Sequence, residues 1–280
     1  MRAKVFILSW MKKILIAVAA VYITACLFMY FMQARFLYSI DTTDVAESVA
    51  SVPFATNVDL ATSDGETLQA WWVPPRDATQ VVYLYFQGNA ETLLSRDKRF
   101  GVLTKDGAGL LGVSWRGYGG SSGKPSEAGL RLDAVAAYEW LRDQYTPERI
   151  VVFGESLGTG IAVWLSSEHA AGGLVLDSAY TSILDVARSQ YPWLPVGRLA
   201  RERFESLDLV SKITVPVFMF HCTEDPVVPF VMGEKMFSAF PTQQKMFSPM
   251  PGVCHVPSVE TLMPRFKELE AVVRSHYASY

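Results

Sequence analysis

The chain has 280 residues, half of them hydrophobic, and a formal net charge of −3. This size and composition suit one large domain with a substantial core, alone or with an appendage. Lys and Arg are not in excess, which argues against binding to nucleic acid. Three cysteines are too few for a disulfide scaffold, and the four histidines lack metal-ligand spacing. We therefore expect no metal and no cofactor.

The N-terminal segment differs in composition from the rest of the chain. Residues Ile14 to Met32 carry no charge and, as a helix, are long enough to cross the ~30 Å hydrocarbon core of a membrane. Basic residues precede this run, and acidic residues follow it from Asp41 onward. The positive-inside rule predicts a cytoplasmic segment at 1–13, a transmembrane anchor at 14–32, and an extracytoplasmic catalytic domain.

Three alternatives to an uncleaved anchor remain open for this segment. A cleaved signal peptide would have a shorter apolar region ending in a small-x-small site. A lipoprotein signal would end at Cys26, but the residues that follow it are bulky and apolar. A buried core helix would rarely lack charge over such a length.

Beyond a connector at 33–56, strands and helices alternate through a domain at 57–280. Such alternation is typical of an α/β fold with a mostly parallel central sheet flanked by helices. Strands are predicted at 58–62, 68–73, 81–86, 110–115, 150–153, 173–177, 215–221 and 244–247, and the first two form a hairpin. Helices are predicted at 126–144, 159–167, 232–239 and 259–277.

The segment Thr181–Lys212 interrupts the alternation. It contains the apolar, proline-stiffened run Tyr191-Pro192-Trp193-Leu194-Pro195 and then a charged stretch. A long excursion of this kind between two strands is often a cap over an active site. We therefore predict a cap at 181–212 with Tyr191 and Trp193 as substrate-binding candidates, while a packing insertion remains the alternative.

The pentapeptide Gly154-Glu155-Ser156-Leu157-Gly158 has the form G-x-S-x-G between an apolar strand and a helix. In that context the serine stands on a sharp turn with an exposed hydroxyl, as a hydrolase nucleophile does. A serine hydroxyl needs a base, and the base needs a group that fixes its tautomer. Asp225 follows the strand at 215–221 and His255 follows the next strand, which gives the order Ser, Asp, His. Glu224 and Asp177 remain alternatives for the acid.

The anionic intermediate of such a reaction requires two hydrogen-bond donors. The backbone N–H of Leu157 is one candidate, because it opens a helix whose dipole favours an anion. The backbone N–H of Asn89 is the second, because the turn Gln87-Gly88-Asn89 follows the strand at 81–86 and Gly88 permits close approach. An ordinary Gly-Asn turn is the alternative.

With these motifs in place, the chain from about Val52 onward resembles an α/β-hydrolase. The resemblance rests on Gly154 to Gly158, on the Gln87 turn, on Arg116-Gly117-Tyr118-Gly119, and on the run from His221 to Pro229. It is similar to a membrane-anchored subgroup, related to serine aminopeptidase-like proteins, that includes esterases, thioesterases and protein depalmitoylases. The resemblance implies the fold and a Ser-His-Asp mechanism, but it fixes no substrate.

Two positions depart from the pattern of these relatives. Gln87 stands where they usually have histidine, and Cys222 stands where they often have glycine. Cys222 and Cys254 each lie a few residues from a predicted triad member. A disulfide between them would link the loops of acid and base in an extracytoplasmic domain, and two buried thiols are the alternative.

The sequence thus predicts a membrane-anchored serine hydrolase that cleaves an ester or thioester. The expected partners are a small or lipid-like acyl ester, possibly an acylated protein, together with the membrane. A serine aminopeptidase-type peptidase and a non-catalytic scaffold with the same fold are the alternatives.

Overall fold

A computed structural model of the chain describes residues 2–46, 51–258, 261–262, 268 and 271–272. Its centre is an eight-stranded sheet with the strand order β1-β2-β4-β3-β5-β6-β7-β8. The strands are β1 Thr56–Ala61, β2 Thr67–Val73, β3 Val82–Phe86, β4 Gly109–Val113, β5 Ile150–Glu155, β6 Gly173–Asp177, β7 Val217–Cys222 and β8 Lys245–Met250. The β1–β2 and β2–β4 pairs are antiparallel, and all other pairs are parallel.

Helices cover both faces of this sheet. They are α1 Arg2–Leu37, α2 Asp97–Thr104, α3 Glu127–Arg142, α4 Leu157–Glu168, α5 Ile183–Gln190, α6 Val196–Leu199 and α7 Phe230–Ala239. The helix predicted at 259–277 lies mostly outside the described residues. The predicted α/β-hydrolase fold with a mostly parallel sheet is confirmed.

Alternate residues of the central strands feed two separate hydrophobic cores. Leu84, Phe86 and Val152 face α3 and α4, whereas Tyr85 and Phe153 face α2. Because successive side chains of a strand point to opposite faces, strands buried on both sides have continuous apolar sequences. This is why β3, β5 and β6 were recognisable as short apolar runs.

Helix α1 is longer than the predicted anchor. It continues past Met32 to Leu37, so the first five positions of the predicted connector, 33–37, are helical. By length and composition the stretch Phe6–Leu37 is able to cross a membrane, and its side chains are largely exposed. The cap segment, with α5 and α6, packs against the C-terminal half of this helix through the apolar cluster of Leu184, Leu194 and Val196.

Helix α2 was not predicted from the sequence. Arg99 is buried on this helix beside Phe100 and Leu103, so the inward face of α2 mixes charge with apolar residues. Periodicity in hydrophobicity is the main sequence signal for a helix, and a buried arginine interrupts it.

Candidate active site

Ser156 lies between β5 and α4 with φ 47° and ψ −116°. Non-glycine residues rarely adopt a positive φ, and such strain is concentrated at functional sites. A Cβ on Gly158 would lie 2.3 Å from the carbonyl oxygen of Phe86, and one on Gly154 would lie 2.6 Å from the carbonyl oxygen of Gly158. Both glycines of the motif are therefore needed for α4 to start this close to the sheet.

Asp225 and His255 come to Ser156 from the ends of neighbouring strands. Asp225 follows β7, and His255 follows β8. The Nδ1 of His255 lies 2.8 Å from Asp225 Oδ2, and its Nε2 lies 2.7 Å from Ser156 Oγ. With Nδ1–H donated to the carboxylate, the lone pair of Nε2 faces the serine hydroxyl. The three predicted residues thus form one continuous hydrogen-bonded chain.

The carboxylate of Asp225 is shielded from solvent, with a side-chain exposure of 0%. Burial by itself raises the pKa of Asp225, but hydrogen bonds from His221, from His255 and from the backbone N–H of Val228 outweigh burial and hold the pKa well below its usual range. This carboxyl is therefore ionised at neutral pH, which is the form that accepts a hydrogen bond from Nδ1–H of His255.

Asp225 in turn changes the titration of His255. Burial lowers the pKa of His255, but the hydrogen bond and the negative charge of Asp225 outweigh it, so the pKa lies above its ordinary value of 6.5. His221 lies on the other side of Asp225, with its Nε2 3.0 Å from the carbonyl oxygen of Val228 and 3.4 Å from Asp225 Oδ2. His221 therefore helps to hold the Asp225 carboxylate in place. Among the described contacts, His221 has no hydrogen bond to Ser156.

The two predicted oxyanion donors lie beside Ser156. Leu157 is the first residue of α4, so its N–H is free of the helix ladder. A Cβ on Gly88 would lie 3.3 Å from Ser156 Cβ, which puts the turn before Asn89 against the nucleophile. The departure at Gln87 leaves this turn supported, because its Nε2 donates to the carbonyl oxygen of Glu91.

The side chain of Asn89 is held by three partners from distant parts of the chain. Its Nδ2 donates to the carbonyl oxygen of Leu37 at 2.7 Å, and its Oδ1 accepts from the backbone N–H of Ser39 at 2.9 Å and from the hydroxyl of Tyr118 at 2.8 Å. Leu37 is the last residue of α1, Ser39 follows the helix, and Tyr118 belongs to the Arg116–Gly119 motif. That motif and the end of α1 together fix the turn next to Ser156.

A buried charge network that the sequence analysis did not identify lies beneath the site. Arg99 Nη1 contacts Glu155 Oε2 at 2.9 Å and Asp177 Oδ2 at 2.7 Å, with all three side chains almost fully buried. Burial alone raises the pKa of Glu155, but the charges of Arg99 and Arg96 outweigh it and hold the pKa below its usual range. The clue in the sequence was a charged residue, Glu155, at the end of an otherwise apolar strand.

This network reaches the loop that carries the histidine. Arg99 Nη2 donates to the carbonyl oxygen of Pro257 at 3.0 Å, and the hydroxyl of Ser178 donates to the carbonyl oxygen of His255. Cys222, the last residue of β7, forms a disulfide with Cys254. Of the two alternatives from the sequence, the structure therefore has the disulfide and not two free buried thiols. The loop around His255 is therefore held by the disulfide to β7, by Ser178 after β6 and by Arg99 of α2.

The two candidate residues of the cap lie in different settings. Tyr191 lines an apolar cavity of about 180 Å³ between α1 and the cap. Trp193 is 54% exposed, lies outside that lining, and accepts a hydrogen bond at its carbonyl oxygen from the hydroxyl of Tyr22. Trp193 thus contacts α1 and does not line the cavity.

A family model described as the alpha/beta hydrolase fold matches residues 83–207. Rv2307c of Mycobacterium tuberculosis is 34% identical over 232 residues, which cover 82% of each chain. The chain belongs to the α/β-hydrolase superfamily. The lysophosphatidylserine lipase ABHD12 of Danio rerio is 31% identical, over 60% of this chain and 49% of that protein. Alpha/beta hydrolase domain-containing protein 17C of Xenopus tropicalis is 34% identical, over 64% of this chain and 58% of that protein.

Solved structures of esterases share the fold. The esterase Pf2001 of Pyrococcus furiosus has a TM-score of 0.62 at 20% identity, covering 86% of this chain and 99% of that one. Est1E of Butyrivibrio proteoclasticus, solved with ferulic acid bound, has a TM-score of 0.65 at 17% identity, covering 78% and 99%. At this level of identity the likeness concerns the fold alone.

Proposed function

We propose that this protein is a membrane-anchored serine hydrolase that cleaves an ester or thioester of a lipid-like acyl group. The observation that carries the proposal is the hydrogen-bonded chain from Ser156 Oγ through His255 to Asp225. Two related features support it: the strained turn at Ser156 and the helix N-terminus at Leu157. The relative named as a lysophosphatidylserine lipase favours a lipid ester among the possible substrates.

In the proposed reaction, Ser156 Oγ attacks the carbonyl carbon while its proton passes to Nε2 of His255. Asp225 accepts the Nδ1 proton in a hydrogen bond and stabilises the imidazolium. The backbone N–H groups of Leu157 and Asn89 bind the oxyanion of the tetrahedral intermediate. His255 then gives its proton to the departing alcohol or thiol, which leaves an acyl ester on Ser156. Water, activated by His255, releases the acid.

The membrane part of the proposal rests on α1 and on charge. Within α1, residues Ile14 to Met32 carry no charge, and Lys12 and Lys13 precede that stretch. We place residues 1–13 in the cytoplasm and the hydrolase domain on the opposite side. The Cys222–Cys254 disulfide supports this side, because disulfides persist in oxidising compartments.

Replacement of Ser156 tests the proposal directly. We expect Ser156→Ala to lower turnover of a short soluble ester by roughly 10⁶-fold, since the triad acts as a unit. A fluorophosphonate should label the wild-type chain and fail to label Ser156→Ala. Ser167→Ala, on the helix that follows the nucleophile, is the matched control and should keep both labelling and turnover. Undiminished turnover by Ser156→Ala would rule out the assignment.

A further inference from the structure

The contact between the cap and α1 overlaps the stretch that we assign to the membrane. Polar and apolar contacts with the cap run from Tyr22, which donates to the carbonyl oxygen of Trp193, to Tyr38, which donates to Glu202. The uncharged stretch ends at Met32, ten positions beyond Tyr22. The part of α1 that both faces the cap and belongs to the uncharged stretch therefore runs from Tyr22 to Met32, which is about 15 Å at 1.5 Å per residue. If Ile14 to Met32 cross the hydrocarbon core, the tip of the cap lies at the depth of the outer leaflet.

The cap and this half of the helix enclose the cavity of about 180 Å³. One wall consists of Met29, Gln33, Phe36 and Leu37 of α1, and the other consists of residues of α5, α6 and their flanks, such as Ala187 and Tyr191. The volume is several times the ~30 Å³ share of one water molecule and is large enough for a segment of an alkyl chain.

Three polar side chains that line this cavity, those of Gln33, Gln190 and Glu202, are hydrogen-bonded to the protein. The amide of Gln33 pairs with the carbonyl oxygen of Leu199 and with the N–H of Arg201. Gln190 donates to the carbonyl oxygen of Val227, and Glu202 accepts from Tyr38 and from the N–H of Glu127. Apart from Tyr191, the other lining side chains are apolar, and an apolar occupant at this depth is a hydrocarbon chain.

One end of the cavity adjoins the predicted oxyanion turn. Leu37 lines the cavity, and its carbonyl oxygen accepts from Asn89 Nδ2 at 2.7 Å. Gly88, the residue before Asn89, is packed against Ser156. An acyl chain lying along α1 would thus have its carboxyl end near the turn beside Ser156 and its methyl end toward the middle of the bilayer.

From these contacts we infer that the cavity binds one acyl chain of a bilayer lipid. The chain enters the cavity laterally, from the outer leaflet of the membrane. The inference rests on the proposed function and deepens it, because it makes a membrane-resident acyl lipid the substrate class. The anchor helix is one wall of the site, so the substrate reaches Ser156 without leaving the membrane.

Enlarging a side chain inside the cavity tests this inference in catalysis. Ala187→Trp fills the cavity from α5, and Ser189→Trp, on the exposed face of the same helix, is the control. For the full chain in phospholipid vesicles, we expect Ala187→Trp to lower the ratio of palmitoyl-ester to butyryl-ester turnover by roughly tenfold or more. Ser189→Trp should leave the ratio at the wild-type value. An unchanged ratio in Ala187→Trp would overturn the inference.

A cross-linking experiment tests the site without turnover. The inactive Ser156→Ala chain is placed in vesicles that contain a phospholipid with a diazirine on its acyl chain, and the cross-linked peptides are mapped by mass spectrometry. We expect cross-links on α5 and α6 as well as on α1. Cross-links confined to 14–21 of α1 would overturn the inference. Hydrolysis by Ser156→Ala would instead count against the proposed function, so the two failures are distinguishable.

Discussion

The sheet edge beneath Ser156 and the surface between the cap and α1 are held by different forces. At the sheet edge, Arg99, Glu155 and Asp177 form ion pairs with side chains at most 2% exposed. At the cap, apolar side chains pack around Leu194, and the ion pair of Arg188 with Asp185 is exposed. A buried charge network tolerates few substitutions, whereas an apolar surface accepts changes of shape. We therefore expect substitutions at the sheet edge to abolish activity and substitutions at the cap to alter substrate preference.

After that of Ser156→Ala, the largest effect is expected at Asp225, the proposed acid of the triad. Asp225→Asn keeps the shape of the side chain but removes the charge that fixes the tautomer of His255. We expect kcat on a short ester to fall by about 10⁴-fold, as for other triads that lose this carboxylate. Glu224→Gln, at the adjacent residue, is the control and should keep kcat. A fall in Glu224→Gln instead would assign the acid to Glu224.

Matched arginine substitutions compare the stability of the two regions. Arg99→Met leaves Arg96 beside Glu155 but removes the arginine that pairs with the buried Asp177, so we expect the free energy of unfolding to fall by about 3–5 kcal/mol. Arg188→Met removes an exposed pair of the cap and should cost about 0–1 kcal/mol. Chemical unfolding of the detergent-solubilised chain measures both. Equal costs in the two variants would contradict the contrast between the regions.

The disulfide offers an intermediate test. Cys222 and Cys254 are separated by 32 residues, so the bond restricts a loop of the unfolded chain. The loop-entropy relation predicts a loss of about 3–4 kcal/mol in the free energy of unfolding for the double variant Cys222→Ala, Cys254→Ala. Cys26→Ala is the control. Intact mass after alkylation without a reductant should show one accessible cysteine, and three alkylated cysteines would refute the bond.

The smallest effect concerns pH. The base must be neutral, and Asp225 raises the pKa of His255 above 6.5. As pH falls, kcat/KM should therefore decline with a midpoint above 6.5, because His255 is protonated earlier than an ordinary imidazole. In Asp225→Asn the charge is absent, and the midpoint of the residual activity should move to lower pH. A midpoint that does not move would mean that Asp225 does not control the titration of His255.

The elements of the sheet and the sharp turn at Ser156 were predictable because they depend on local sequence. Central strands such as β3 and β5 are continuous apolar runs, and Ser156 lies within a short motif that requires two nearby glycines. The order of Asp225 and His255 followed from their positions after successive strands. The strands and the serine motif are each readable within a short stretch of chain, whereas the order of Asp225 and His255 required the positions of several strands.

The remaining features depend on contacts between distant residues. Helix α2 was missed because Arg99 faces the interior, where Glu155 and Asp177 compensate its charge. Helix α1 continues to Leu37, beyond the uncharged stretch, and the amide of the polar Gln33 is bonded to the backbone at Leu199 and Arg201. In both cases a polar residue has partners that the local sequence does not show.

The hydrogen bonds of Asn89 to Leu37 and Ser39 have a consequence for proteolytic shedding. A protease that cut the chain just after Ser39 would release the domain and separate Asn89 from two of its three side-chain partners. Of the three partners of the Asn89 side chain, Tyr118 would then remain. If α1 is the membrane anchor that we propose, shedding would loosen the turn next to Ser156 as well as detach the domain, so that detachment and loss of activity would be one event.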